Sequence, residues 1–231
     1  MTTAALFYAI NNYKGLIMSK CRLILVRHGQ SEGNLVRSFL GHTDLDITEL
    51  GHKQAECTAE YLKDEKIDVI YSSDLKRAWN TAEHIAAKKN LSIIADSELR
   101  EIFAGEWENR LFCDLETEFA KDFKIWREDI GNARPTGGES VKELSDRIIA
   151  ELLRIASMYD GETVCIASHA TPIRMAGVKA MGLTVEDAKD VNWAPNASVT
   201  VIDVEDGVLK LVKYGYNEHM GELSTVLPKN V

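Results

Sequence analysis

The alternation of apolar and polar positions cuts the chain into short buried runs and longer amphipathic stretches. Leu23-Ile24-Leu25-Val26, two of them β-branched, predict a strand buried on both faces. It stops at Arg27-His28-Gly29 and passes into the polar turn Gln30-Ser31-Glu32-Gly33-Asn34. Beyond the loop Gly41-His42-Thr43-Asp44-Leu45-Asp46, Thr48 is an N-cap residue type, and Leu50, Ala55, Ala59 and Leu62 recur at helical spacing. Residues 68–73 predict a second buried strand, and residues 91–95 a third. Between them Ser73 or Asp74 is placed to cap a helix that carries Arg77 in its first turn and ends at Lys88-Lys89.

Ser140-Val141-Lys142-Glu143 is a capping box, and it opens a long helix with Leu144, Ile148, Leu152 and Ile155 on one face. Residues 163–167 form another buried run, ending in Ser168-His169, after which Thr171-Pro172 predict a helix start with proline at the first position. Residues 196–202 and 208–212 flank Asp206-Gly207 and predict a hairpin at the sheet edge. Strands alternating with helices give an α/β fold: a three-layer α/β/α sandwich with a mostly parallel central sheet. Residues 99–138 break the pattern, being rich in acidic and aromatic residues and interrupted by glycines. They predict an insertion over the sheet's carboxyl edge, with short helices such as 111–126. The tail from Glu218 onward is expected to be poorly ordered.

Residues 4–10 are apolar but follow no Lys or Arg, and the run is too short to span a membrane. Met18 stands just ahead of the first strand. Translation is therefore expected to begin there, with residues 1–17 an extension outside the fold and 18–231 a single domain. The formal charge of -9 argues against a nucleic-acid partner, yet a local arginine cluster could still oppose it for a small anion. Cys21, Cys57, Cys113 and Cys165 are scattered, which favours free thiols and a cytoplasmic location. No Walker loop, dinucleotide fingerprint or metal-spaced histidine pair occurs, so no cofactor is expected. No membrane partner is expected either, and the oligomeric state stays open, a dimer included.

Arg27 and His28 fall at the carboxyl end of a strand, where open α/β sheets bind ligands. A neutral imidazole, with its ordinary pKa of about 6.5, can attack phosphorus without a metal. A guanidinium can fork two phosphoryl oxygens and hold the phosphorus in line. Arg77, Glu101 and His169 also sit at strand ends or first helical turns, so a parallel sheet can bring them to one edge. Each alone is equally at home as a solvated or packed residue.

Together they sit in ordered motifs: Arg27-His28-Gly29-Gln30-Ser31-Glu32-Gly33-Asn34, Gly41-His42-Thr43-Asp44 and Ser72-Ser73-Asp74-Leu75-Lys76-Arg77-Ala78. Leu99-Arg100-Glu101, Gly137-Gly138-Glu139-Ser140 and Ser168-His169 follow. In these motifs the chain resembles the histidine phosphatase, or phosphoglycerate mutase-like, superfamily. The resemblance implies a phosphomonoesterase in which His28 takes the phosphoryl group and Glu101 serves as general acid and base. It implies that Arg27, Arg77 and His169 clamp the phosphoryl oxygens, within a substrate-binding set of Arg27, Gln30, Ser31, Asn34, Gly41, Thr43, Arg77, His169 and Ala170. Relatives often carry tryptophan where Gly33 stands, so the resemblance predicts a pocket opened on that side. Glu101-Ile102-Phe103-Ala104-Gly105-Glu106-Trp107 resembles the phosphatase branch, and hydrolysis of small phosphate esters is expected over mutase-type transfer. Phe103, Trp107, Trp126, Arg127 and Arg134 are candidates for the outer pocket.

Three rivals remain. Asp44-Leu45-Asp46-Ile47-Thr48 matches the pattern of magnesium-dependent aspartyl phosphatases, but no apolar strand precedes it. Cys21 and Arg27 have tyrosine-phosphatase spacing, but the residues between them are strand-like rather than a phosphate loop. A non-catalytic phosphate-binding module is the third, and it has no need of both His28 and Glu101.

Overall fold

The computed structural model describes residues 20–225, so the expectations for residues 1–17 and Met18 lie outside the described residues. Its first half runs β1 (Lys20–Arg27), α1 (Glu32–Val36), β2 (Ser38–Phe39), α2 (Glu49–Tyr61), β3 (Val69–Ser72), α3 (Lys76–Lys89) and β4 (Ile93–Ala95). The insertion carries β5 (Arg110–Leu111), α4 (Phe112–Glu118) and α5 (Ala120–Glu128). The second half runs α6 (Val141–Met158), β6 (Thr163–Ser168), α7 (Ala170–Ala180), β7 (Val199–Glu205) and β8 (Val208–Tyr216).

The central sheet has the order β4-β3-β6-β1-β7-β8. Its first four strands are parallel, and β7 and β8 complete it antiparallel. Side chains alternate along β1, so Leu23 and Leu25 pack with Leu144, Ile148 and Leu152 of α6 and Ile173 of α7. Ile24 and Val26 turn the other way, onto Ala59 of α2 and Ala78, Ala82 and Ile85 of α3. A strand buried on both faces needs apolar residues at successive positions, which is why the run is continuous. The result is the expected three-layer α/β/α sandwich.

Several local expectations are corrected. The N-cap of α3 is Leu75, without a side-chain cap, while Ser73 Oγ accepts a bond from the Leu75 N–H at 3.3 Å. Helix α7 starts at Ala170, which puts Pro172 at its third position, where a missing N–H still costs nothing. The 111–126 helix is two helices, joined at Phe119. The hairpin forms with Asp206 and Gly207 both at positive φ (51° and 78°), the geometry of a type I′ turn, but its strands run to Glu205 and Tyr216. The tail does not fray at Glu218: residues Glu218–Leu223 form a 3-10 helix, Met220 is buried, and the Leu223 carbonyl accepts a bond from Gln54 of α2 at 2.7 Å.

Candidate active site

Sheet hydrogen bonding fixes the candidate residues. Beyond the paired ends of β1 and β6, the His28 N–H donates to the Ser168 carbonyl (3.0 Å), and beyond β3 the Ser73 N–H donates to Ala167 (3.0 Å). His28, Ser73 and His169 are thus the first residues past three adjacent strands. The His28 carbonyl is held in turn by the Ala197 N–H (3.1 Å) and Asn196 Nδ2 (3.2 Å). Gly29 follows at a point where a Cβ would lie 2.4 Å from the Gly51 carbonyl oxygen, so the chain can turn there only without a side chain.

His28 is buried, and its Nδ1 lies 2.7 Å from the Gly29 carbonyl oxygen. A carbonyl can only accept, so Nδ1 carries the proton and Nε2 keeps its lone pair. Burial, then the charges of Arg77 and Arg27, hold this imidazole well below its usual pKa and therefore neutral. His169 is likewise held low by burial and by Arg77. Its ring lies 5.3 Å from that of His28.

Arg77 is buried, with Nη2 donating to Gly41 O (2.7 Å), Nη1 to Thr43 O (2.9 Å) and Nε to His169 Nδ1 (3.2 Å). Because His169 Nδ1 accepts that bond, its proton sits on Nε2 and donates to Ser73 Oγ at 2.8 Å. The Arg27 side chain is anchored by Nη1 donating to Ala194 O (2.6 Å), and its Nε is buried without a partner among the described residues. Burial pushes both guanidinium groups down to about 10, which leaves them charged at neutral pH.

The cleft above this floor has a volume of about 140 Å³ and is lined by Arg27, His28, Ser31, Asn34, Gly41, Arg77, Glu101 and Ala170 of the expected set. Glu101 Oε1 accepts from the Ile102 N–H (2.9 Å) and Oε2 from the Thr171 N–H (3.3 Å), which aims the carboxylate beside the start of α7. Asn34 Oδ1 takes the Ser31 N–H (3.1 Å) and Asn196 Nδ2 (3.0 Å), leaving its NH2 as the remaining donor. Ser31 caps α1, and Ala170 opens α7, whose first N–H groups have no intrahelical acceptor.

Other expected residues are not brought to the cleft. Gln30 is structural: its N–H donates to Gln54 and its Oε1 accepts from Thr48 Oγ1 at 2.9 Å. The Thr43 hydroxyl donates to Glu108 at 2.7 Å, so Thr43 serves through its carbonyl, which holds Arg77. His169 lies behind Arg77, with both ring nitrogens engaged. Asp44 and Asp46 accept bonds from the Lys76 N–H and the Asn80 side chain and do not line the cleft. Of the outer candidates only Trp126 lines it. Trp107 is core, Phe103 lies against His42, and Arg127 and Arg134 pair with Glu116 and Glu143. Gly33 opens nothing, because the Leu40 side chain fills the space where its Cβ would be, 2.4 Å away.

Sequence reasoning missed Glu108, which accepts from the N–H groups of His42 (2.8 Å), Thr43 (2.7 Å) and Ala104 (3.0 Å) and so shapes the loop that holds Arg77. It also missed Asn196, Arg37 and Trp193. Glu108 adjoins the Gly105-Glu106-Trp107 motif, which was the available signal; the others carried none. Among the described residues no group of three or more His, Cys, Asp or Glu side chains is placed to hold a metal ion. Among them, too, no helix is long and apolar enough to cross a membrane.

A neutral histidine under two buried guanidinium groups, with a carboxylate alongside, defines a phosphoryl-handling α/β enzyme. The model of the histidine phosphatase superfamily (branch 1) matches residues 23–217, and the chain belongs to that family, in its phosphatase branch. It is 35% identical over 204 residues to phosphoserine phosphatase 1 of Hydrogenobacter thermophilus, covering 87% of this chain and 95% of the relative. It is 36% identical over 190 residues to phosphoglycerate mutase-like protein 4 of Arabidopsis thaliana, covering 80% of each. The solved structure of Bacillus stearothermophilus YhfR superposes with a TM-score of 0.83 at 26% identity, over 87% of this chain and 99% of that one.

Proposed function

We propose that His28 Nε2 attacks the phosphorus of a small phosphate monoester, forming the N–P bond as the P–O bond to the alcohol breaks. Glu101 gives its proton to the departing oxygen, then takes one from the water that attacks the phosphohistidine, releasing phosphate and freeing Nε2. As Nε2 bonds phosphorus the ring becomes cationic, and the Nδ1–H bond to the Gly29 carbonyl stabilises that charge. Arg27 and Arg77 meet the phosphoryl oxygens, with Asn34 and the Ala170 N–H at the edge of the clamp. His169 acts through Arg77, whose Nε it receives.

Enzymes accelerate phosphate-monoester hydrolysis by up to ~10²¹-fold, while general acid–base catalysis contributes only about 10²–10⁴. Most of the remainder falls to the clamp and to in-line placement. A cleft of about 140 Å³ suits a small ester. The observation that carries this reading is the His28 tautomer, which points a free lone pair into a positively charged floor. Rapid quench with p-nitrophenyl phosphate should trap an acid-labile phosphoryl group on His28. Turnover at the normal rate by a His28→Ala protein would sink the reading.

A further inference from the structure

Glu101 stands in a stretch with no hydrogen-bond ladder of its own. Residues 100–104 lie between two short 3-10 helices, Ser97–Leu99 and Gly105–Trp107, and belong to neither helix nor strand. Distant side chains hold their backbone instead. Arg147 of α6 donates Nη1 to the Arg100 carbonyl (3.2 Å) and Nη2 to the Glu101 carbonyl (3.4 Å), and Glu139 fixes the same guanidinium through two bonds of 2.9 and 2.8 Å. The Glu101 carbonyl has a second and closer donor, His42 Nε2 at 2.9 Å. A carbonyl can only accept, so Nε2 carries the proton.

His42 also belongs to the loop that holds the clamp. Its chain neighbours Gly41 and Thr43 receive Arg77 Nη2 (2.7 Å) and Nη1 (2.9 Å) on their carbonyls, and its own N–H donates to Glu108 at 2.8 Å. The ring packs against Phe103, 5.4 Å between centroids, in a hollow shared with Arg100 and Arg147 rather than in the catalytic cleft. The carboxylate of Glu101 rests on the peptide that His42 grips: Oε1 accepts the Ile102 N–H (2.9 Å), and that N–H and the Glu101 carbonyl are the two ends of one planar unit. If the carbonyl swings, the N–H and the carboxylate seated on it swing too.

We propose that His42 is a positioning residue, which sets the tilt of the peptide between Glu101 and Ile102 and so registers the acid against the clamp built on Arg77. The proposal rests on the phosphatase reading and adds a link between the groups that bind the phosphoryl oxygens and the group that protonates the leaving oxygen. Displacing a catalytic group by about 1 Å can cost on the order of 10²-fold. Arg147 keeps its bond to the same carbonyl, so losing His42 should cost less.

Two aromatic esters of similar size separate the acid from the clamp: benzyl phosphate, whose alkoxide must be protonated as it leaves, and p-nitrophenyl phosphate, whose phenolate need not be. His42→Leu should lower kcat/KM for benzyl phosphate about tenfold, through kcat, and for p-nitrophenyl phosphate by less than about threefold. His42→Gln, whose amide nitrogen reaches about as far as the imidazole Nε2, should restore most of the ratio between the esters, and Arg147→Gln should shift it in the same direction as His42→Leu. In a Glu101→Gln background His42→Leu should change the ratio no further. Both esters are measured on one sample, so the ratio is independent of the folded fraction. A wild-type ratio in His42→Leu, whether both rates fall or neither does, would overturn the proposal and leave His42 a structural residue. Failure of the unaltered protein on both esters would instead overturn the phosphatase reading beneath it.

Discussion

At the floor of the cleft Arg77 commits three N–H groups to Gly41, Thr43 and His169, and His28 is held by its own Nδ1 and by both backbone groups. At the mouth of the cleft, among the described residues, Ser38 Oγ, Trp126 Nε1 and Trp193 Nε1 are buried without a hydrogen-bond partner and Arg37 pairs with no carboxylate. Apart from Arg27 Nε, which is buried without a partner among the described residues, the floor is braced in advance, so little dipole reorganisation is needed as charge moves onto phosphoryl oxygens. The mouth is instead walled by packed side chains, Phe39, Leu40, Phe112, Trp126 and Trp193, so shape rather than a preset hydrogen-bond network distinguishes it from the floor.

The largest effect expected from breaking the floor comes from His28→Ala, with turnover falling on the order of 10⁴-fold or more, because among the described residues that line the cleft His28 is the one imidazole. Glu101→Gln should cost about 10²–10⁴ for alkyl phosphates and far less for p-nitrophenyl phosphate, whose phenolate leaves without a proton. A loss that ignores leaving-group pKa would make Glu101 a positioning residue rather than the acid.

Glu108→Gln strikes one step back, at the loop whose carbonyls hold Arg77. It replaces a carboxylate that accepts from three backbone N–H groups and one hydroxyl, so a loss of about 2–4 kcal/mol in denaturant unfolding is expected. Phosphate-competition assays should show weaker anion binding as Arg77 loosens. Unchanged anion affinity in a destabilised protein would separate the loop's stability from its hold on the clamp.

The contrast also explains what could be read in advance. Arg27, His28 and His169 were legible as strand ends because they follow apolar runs, and a parallel sheet sends such termini to one edge; that His169 braces Arg77 rather than lining the cleft was not. Glu101 and Arg77 were legible from short motifs beside them. Glu108, Asn196 and Arg147 were not, because each works by a bond to a distant segment, which leaves no period in the sequence. Arg147 of α6 reaches back to the carbonyls of Glu98 (2.5 Å) and Arg100 (3.2 Å), next to the acid. Gln30 and Thr43 were misread for the converse reason: their motif neighbours line the cleft, and they brace the turn. The mouth was the least legible, since Trp107 and Trp126 look alike in sequence and only packing makes one core and the other wall.

The floor's neutrality has a cost at low pH. His28 and His169 are both held well below their usual pKa, first by burial and then by Arg77. As pH falls past about 6.5 the unfolded imidazoles gain protons that the folded ones refuse. The unfolded state then binds more protons, so stability is full above that pH and declines below it until the folded values are reached. The decline approaches about 1.4 kcal/mol per pH unit for each histidine. Urea unfolding of wild type and His28→Ala between pH 7 and 5 should show the variant losing stability less steeply. Parallel curves would mean that His28 accepts a proton in the folded state.

The smallest effect sharpens the mouth's wall. Gly33 sits in α1 with the Leu40 side chain 2.4 Å from where a Cβ would be, and Leu40 lines the cleft. Gly33→Ala gains up to about 1 kcal/mol of helix propensity but overpacks the contact by about 1–3 kcal/mol. A net loss of about 1 kcal/mol is therefore expected. Leu40→Ala removes the obstructing atoms, so the two substitutions should couple, with the double variant more stable than the sum of the singles predicts. Additive losses in the cycle would show that Leu40 simply swings aside, and the wall it forms would then be soft enough to admit a bulkier alcohol.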